Sequence, residues 1–144
     1  MNQYNDATRG IFQNENHAKQ LVSFEGMKFA GRSGLYNVTP TDIDGLVQLD
    51  KENCFIFFEL KHSGGVSNGQ GSALMKLCDA LNDSGAECTV LIALHNTPYP
   101  ETIVAKDAVV TYAYYKGHLY PVREHRNLYE IAKNFIDYVK KKQQ

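Results

Sequence analysis

A chain of 144 residues is one domain's worth of sequence, long enough to bury roughly two thirds of the surface that its unfolded form exposes. Hydrophobic residues at 43% and charged residues at 22% weigh against disordered, collagen-like and coiled-coil architectures, so the expectation is a single domain over 1–144. The net charge of −1 argues against a nucleic-acid binder until the chain is divided: residues 1–105 carry 7 Lys/Arg against 12 Asp/Glu, whereas residues 106–144 carry 8 against 4.

No basic-then-apolar signal pattern opens the sequence, and no apolar run approaches the roughly 18 residues of a membrane span. A soluble, cytoplasmic chain with no membrane partner is expected. Cys54, Cys78 and Cys88 form no CxxC pair and lie inside apolar segments, a pattern that predicts buried free thiols rather than disulfides or a zinc site.

In chain order, a first helix is predicted over Ile11–Phe24, followed by a short strand at Leu35–Val38 in a Gly-rich region. Asp42–Leu49 and Cys54–Lys61 read as a hairpin joined by Asp50-Lys51-Glu52-Asn53. After the Gly-rich loop 63–69, a helix is predicted from Gln70 to Asn82, stopped by Gly85. Strands at Thr89–Leu94, Ala108–Tyr115 and Leu119–Val122 precede a last helix over Leu128–Lys141. This order gives an α/β fold, a mixed sheet with helices packed on it and a C-terminal hairpin and helix.

Polar residues interrupt the apolar run Phe55-Ile56-Phe57-Phe58-Glu59-Leu60-Lys61, which has apolar side chains at both parities and so resembles a strand covered on both faces. Glu59 and Lys61 share one face. If Asp50–Asn53 is a four-residue connection, Leu49 faces Cys54, Asp44 lies across from Glu59 and Asp42 across from Lys61. Opposed side chains have Cβ atoms roughly 4.5–5.5 Å apart, so facing carboxylates require compensation. A divalent cation such as Mg²⁺ or Mn²⁺, bound by hard oxygens, supplies it. An ion pair between Lys61 and Asp42, with Glu59 or Asp44 partly protonated, is the alternative.

Asp42-Ile43-Asp44-Gly45 followed by Phe58-Glu59-Leu60-Lys61 resembles the PD-(D/E)XK nuclease superfamily, in which an Asp on one strand and an ExK on the next form a metal site. The resemblance spans residues 11–95 and implies a restriction-endonuclease-like α-β-β-β-α-β core. The family's Pro-Asp pair is absent, since Pro40 stands two residues before Asp42, and either Asp42 or Asp44 fits its metal ligand. Asp44 is preferred because of its register with Glu59.

By the resemblance, Asp44, Glu59 and the Leu60 carbonyl hold Mg²⁺ (or Mn²⁺), Lys61 orients or activates the attacking water, and Gln70 matches a polar residue at the start of the family's next helix. Glu15 resembles the helix-borne Glu of the Holliday-junction-resolvase branch. The implied activity is metal-dependent hydrolysis of DNA, branched DNA included, by a homodimer of a prokaryotic cell or phage-infected host, with RNA left open as substrate.

The loop Gly64–Gly71 has GxxxxG spacing, but Gln70 and Gly71 replace the Lys and Ser/Thr of a phosphate-binding loop. His62, next to the ExK, is a candidate substrate contact or a solvated loop residue. Arg123 and Arg126, near Tyr112, Tyr114, Tyr115 and Tyr120, are candidates for nucleic-acid binding, for sheet packing or for a subunit interface. The competing functional expectation is a non-catalytic module that keeps the nuclease fold and binds nucleic acid or protein. Nucleotide binding by the Gly-rich loop is a third.

Overall fold

Two neighbouring strands show how pattern becomes position. Gly45–Leu49 (β3) alternates half-buried and exposed residues, and Cys54–His62 (β4) is buried or half-buried up to its last residue. A strand with one solvated face belongs at an edge, and a strand apolar at both parities belongs inside a sheet. β3 is indeed an edge of a five-stranded sheet in the order β3-β4-β5-β6-β7. Its other members are Glu87–His95 (β5), Val109–Tyr115 (β6) and His118–Pro121 (β7).

The structure is a computed structural model that describes residues 23, 25–34, 37–38, 40, 43–62 and 70–144. The chain forms two compact units, Met1–Pro40 and Thr41–Gln144. In the first, Phe29–Ala30 (β1) and Asn37–Val38 (β2) pair antiparallel around the turn Arg32–Gly34. The strand expected at Leu35–Val38 is thus a two-residue member of this small sheet, so among the described residues the larger sheet lacks the further strand that an α-β-β-β-α-β core places beside β3. The helix expected over Ile11–Phe24 lies outside the described residues apart from Ser23, whose Oγ accepts from the Glu25 N–H.

In the second unit the hairpin register is as expected, running from Leu49↔Cys54 to Gly45↔Phe58. β4 and β5 pair in parallel from Cys54↔Glu87 to His62↔His95, which draws β5 out beyond the predicted Thr89–Leu94. The remaining pairs are antiparallel. A parallel pair needs a crossover, and the helix Gln70–Asp83 (α1) belongs to it. Gly85, at φ +99, ends α1, and the Ala86 N–H returns to the Leu81 carbonyl. The Asn82 side chain then accepts from the Cys88 N–H and donates to its carbonyl, tying the helix end to β5.

Helices cover both faces of the sheet. On one, Phe57, Cys88, Val90 and Tyr114 pack with Leu74 and Cys78 of α1. On the other, Cys54, Ile56, Leu91, Ala93 and Val110 pack with Leu128, Ala132 and Val139 of the helix Leu128–Lys142 (α2). Asn127 caps α2 by accepting from the Glu130 N–H, and Lys140, Lys141 and Lys142 occupy its last turn, each end complementing the helix dipole. All three cysteines are buried and free. No helix among the described residues is long and apolar enough to cross a membrane.

Candidate active site

The strand expected from Asp42 starts instead at Gly45, and one carboxylate explains the difference. Asp44 Oδ2 accepts the Leu60 N–H at 2.7 Å, one step past the last paired position, Gly45↔Phe58. The side chain of Asp44 therefore takes the place of a strand carbonyl, and the backbone ladder ends there. Gly45 is required at this point: a Cβ on it would lie 2.8 Å from Cδ2 of the Phe58 ring. The Asp-Gly pair is thus read by β4 twice, through the Leu60 backbone and the Phe58 side chain.

Glu59 is 4% exposed, and Lys61 Nζ lies 2.8 Å from its Oε1. The two side chains leave the α1 face of β4 because they share the parity of Phe57. A buried carboxylate costs several kcal/mol unless paired and hydrogen-bonded, and among the described residues Lys61 is the partner of Glu59. The structure thus brings Asp44, Glu59, Leu60 and Lys61 to one end of the hairpin. Gln70 is the first residue of α1, and nothing further is described of its side chain. Glu15 and Asp42 lie outside the described residues.

His62 ends β4 and stacks edge-on against His95, ring centroids 5.3 Å apart. Arg123 is exposed just past β7. Arg126 is elsewhere: its carbonyl accepts from the Val110 N–H, and its guanidinium lies 3.8 Å from Glu130 along α2, the helix on the opposite face of the sheet from Glu59.

The donor set suits a hard divalent cation. Mg²⁺ commonly uses one or two carboxylates and keeps waters, and Asp44 spends one of roughly four acceptor positions on Leu60. Because the Leu60 N–H points to the β3 side, its carbonyl leaves the strand on that side too, next to Asp44. Among the described residues no group of three His, Cys, Asp or Glu side chains converges for a metal; the described groups that could hold one are the carboxylates of Asp44 and Glu59 and the Leu60 carbonyl.

A second, half-buried acid was not singled out by pattern. Glu87, at the start of β5, accepts from Tyr115 Oη at 2.6 Å and from Lys142 Nζ at 2.6 Å, with Lys116 Nζ at 4.0 Å. Burial pushes its carboxyl up, but the hydrogen bonds from Lys142 and Tyr115 and the charges of Lys116 and Lys142 outweigh this and leave it below its ordinary value. Lys116 and Lys142 are therefore committed to an internal acid, which reduces the basic C-terminal surface anticipated from counting charges. The tyrosines divide similarly. Tyr114 donates to Asp79, and burial together with that bond pushes its hydroxyl up to about 12; Tyr112 and Tyr120 are exposed. Burial, with the charges of Glu87 and Glu52, pushes the Cys54 thiol up to about 11, so it is a packing group and no nucleophile at neutral pH.

Compared with known proteins, the chain matches no family model, no curated protein and no solved structure.

Proposed function

We propose that this protein is a Mg²⁺- or Mn²⁺-dependent nuclease of PD-(D/E)XK type that hydrolyses phosphodiester bonds in DNA. One observation carries the reading: the Asp44 carboxylate is fixed on the Leu60 backbone beside a buried Glu59 that is paired to Lys61. Sequence separates Asp44 from the ExK by fifteen positions or more, and the hairpin brings the Asp44 carboxylate to the backbone of the ExK segment, which supports the reading.

Asp44, Glu59 and the Leu60 carbonyl would hold the cation, which when bound polarises a phosphoryl oxygen and lowers the pKa of water. Glu59 holds the Lys61 ammonium in place before substrate arrives. Lys61 then donates hydrogen bonds to the incoming water and to the charge growing on the phosphate, a task suited to a compact ammonium. The water oxygen bonds to phosphorus, the bond to the sugar oxygen breaks, and the water's proton ends on that leaving oxygen. Homodimerisation, with branched DNA as substrate, belongs to the same proposal.

Labelled single-stranded, duplex, flap and four-way-junction DNA and an RNA strand, each with Mg²⁺, test it. Cleavage of at least one DNA substrate by the wild type is expected, with loss on Glu59→Ala and on Lys61→Ala. Unchanged cleavage by both variants sinks the assignment. The second reading, a binding module retaining a nuclease-like fold, draws on the Glu59–Lys61 ion pair, which also neutralises itself without a metal. It predicts nucleic-acid binding that survives EDTA and Glu59→Ala, with no products.

A further inference from the structure

The register of the sheet carries a row of side chains away from Glu59. Glu59 pairs with Ile92, Ile92 with Tyr112, and Tyr112 with Pro121, across four adjacent strands. Strands lie about 4.8 Å apart, so the row extends about 14 Å from the carboxylate. Lys61, Leu94 and Leu119 flank it, and with Ile92, Tyr112 and Pro121 of the row they line a groove of about 540 Å³ that begins beside Glu59, within the roughly 300–1,000 Å³ range of small-molecule sites.

A bulge aims the aromatic residue of that row. Ile92 pairs with Tyr112, but Ala93 pairs with Val110, leaving Thr111 as an extra residue on β6 whose Oγ1 donates to the Ile92 carbonyl. In an unbroken strand Val110 and Tyr112 would share a face. Val110 instead packs toward α2, and the bulge sends Tyr112 to the Glu59 side, where it is 36% exposed. Bulges re-aim side chains next to sites in this way.

The charge of the groove restricts its occupant. Lys61, whose ammonium is paired with Glu59 just outside the lining, is the ionisable lining group other than tyrosine among the described residues, and exposed Arg123 directly follows the lining residue Val122. An apolar and aromatic floor with a cation at one end fits a flat heterocycle joined to a phosphate. Within a duplex, a base has both faces stacked and its edge paired, and only an unpaired base presents a face to Tyr112.

We infer that this groove binds an unpaired nucleobase whose neighbouring phosphate lies at Lys61, so that the substrate class of the site is DNA with unpaired nucleotides. This rests on the nuclease reading for the position of the phosphate. Tyr112 and Leu119 are specificity residues, outside the chemistry at Lys61.

Fluorescence anisotropy in the Glu59→Gln background, which removes both cutting and the repulsion of a buried anion, separates the two claims. The probes are a labelled single strand, a blunt duplex of the same sequence and that duplex with a single-stranded tail. The single strand and the tailed duplex are expected to bind more tightly than the blunt duplex. Adding Tyr112→Ala is expected to cost about tenfold on those two probes, with little change on the blunt duplex. Tyr112→Phe should restore binding, Leu119→Ala should weaken it in the same selective way, and Tyr129→Ala, on α2, should do nothing. Equal loss on all probes, or no loss, overturns the groove. Cleavage by the wild type is scored separately. Glu59-dependent cleavage with Tyr112-independent binding rejects the groove alone; Tyr112-dependent binding without cleavage upholds the groove and rejects the nuclease.

Discussion

Glu59 is a buried acid and Glu87 a half-buried one, both on central strands with a lysine close by, and they are held in opposite ways. Glu87 receives donors from two other parts of the fold: Tyr115 of β6 with Lys116 just after it, and Lys142 of α2. Its acceptor positions are spent on holding β5, β6 and α2 together. Glu59 has its lysine two residues along the same strand, a contact that joins no elements and adds little to the fold. A carboxylate saturated from several directions is a clasp, whereas one held from its own strand keeps acceptor capacity for a ligand.

The largest expected effect breaks this comparison outright. Lys61→Ala or Glu59→Gln should lower DNA cleavage by about a hundredfold or more, the scale of removing one preorganised donor from a charged transition state; Glu59→Gln should melt close to the wild type, whereas Lys61→Ala leaves Glu59 buried without its partner and should melt earlier. Glu87→Gln should leave cleavage unchanged. If Glu59→Gln melted early and Glu87→Gln cut poorly, the roles assigned to the two acids would be reversed.

Next in size is the structural loss at Glu87. Glu87→Gln removes a charge-assisted acceptor from the half-buried Tyr115 hydroxyl and should cost about 1.5 kcal/mol in chemical denaturation, against at most a few tenths for a control such as Glu101→Gln on an exposed loop. Cation binding then sharpens the contrast. A site that binds Mn²⁺ only in the folded state stabilises by about 1.4 kcal/mol at ten times the Kd. That gain should survive Glu87→Gln and vanish with Glu59→Gln. A rise in melting temperature retained by Glu59→Gln places the ion elsewhere.

The contrast also marks what could be read from the chain. Glu59 interrupts a run of seven residues of which five are apolar, and the hairpin arithmetic that set Leu49 against Cys54 and Asp44 against Glu59 is followed by the β3–β4 register as far as Gly45↔Phe58, where the pairing ends one position short of Asp44. Side-chain periodicity sees a residue's face but not its bond: that Asp44 caps the Leu60 N–H, shortening the strand predicted from Asp42, depends on where a carboxylate swings at a strand end. Glu87 was invisible for a related reason. It precedes the apolar run Thr89–Leu94, and its two donors and the further lysine beside it come from 28, 55 and 29 residues away, distances over which no local period operates. Tyr112 was legible as an aromatic residue near basic ones but not as a member of the Glu59 row, because the bulge at Thr111 reverses the alternation on which such a reading depends. The first helix and Glu15 lie outside the described residues and add nothing to the comparison.

The smallest effect is a pH dependence confined to one of the two acids. The Glu87 carboxyl is held below its ordinary value of 4.5, so the folded state favours its charged form. The stability it contributes is complete above that ordinary value and is lost as pH falls through the lowered folded value, where the protonated acid no longer accepts from Lys142 with full charge. Glutamine at this position does not titrate. The stability difference between wild type and Glu87→Gln should therefore be constant from pH 7 down to about 5 and should narrow below about 4.5, at no more than the 1.4 kcal/mol per pH unit that one proton contributes. Urea melts of both proteins at successive pH values give the curve directly. A gap that stays constant down to pH 3 would mean that Glu87 stabilises the fold by shape alone, and its contacts with Lys142 and Lys116 would then have to be counted as surface pairs of negligible worth.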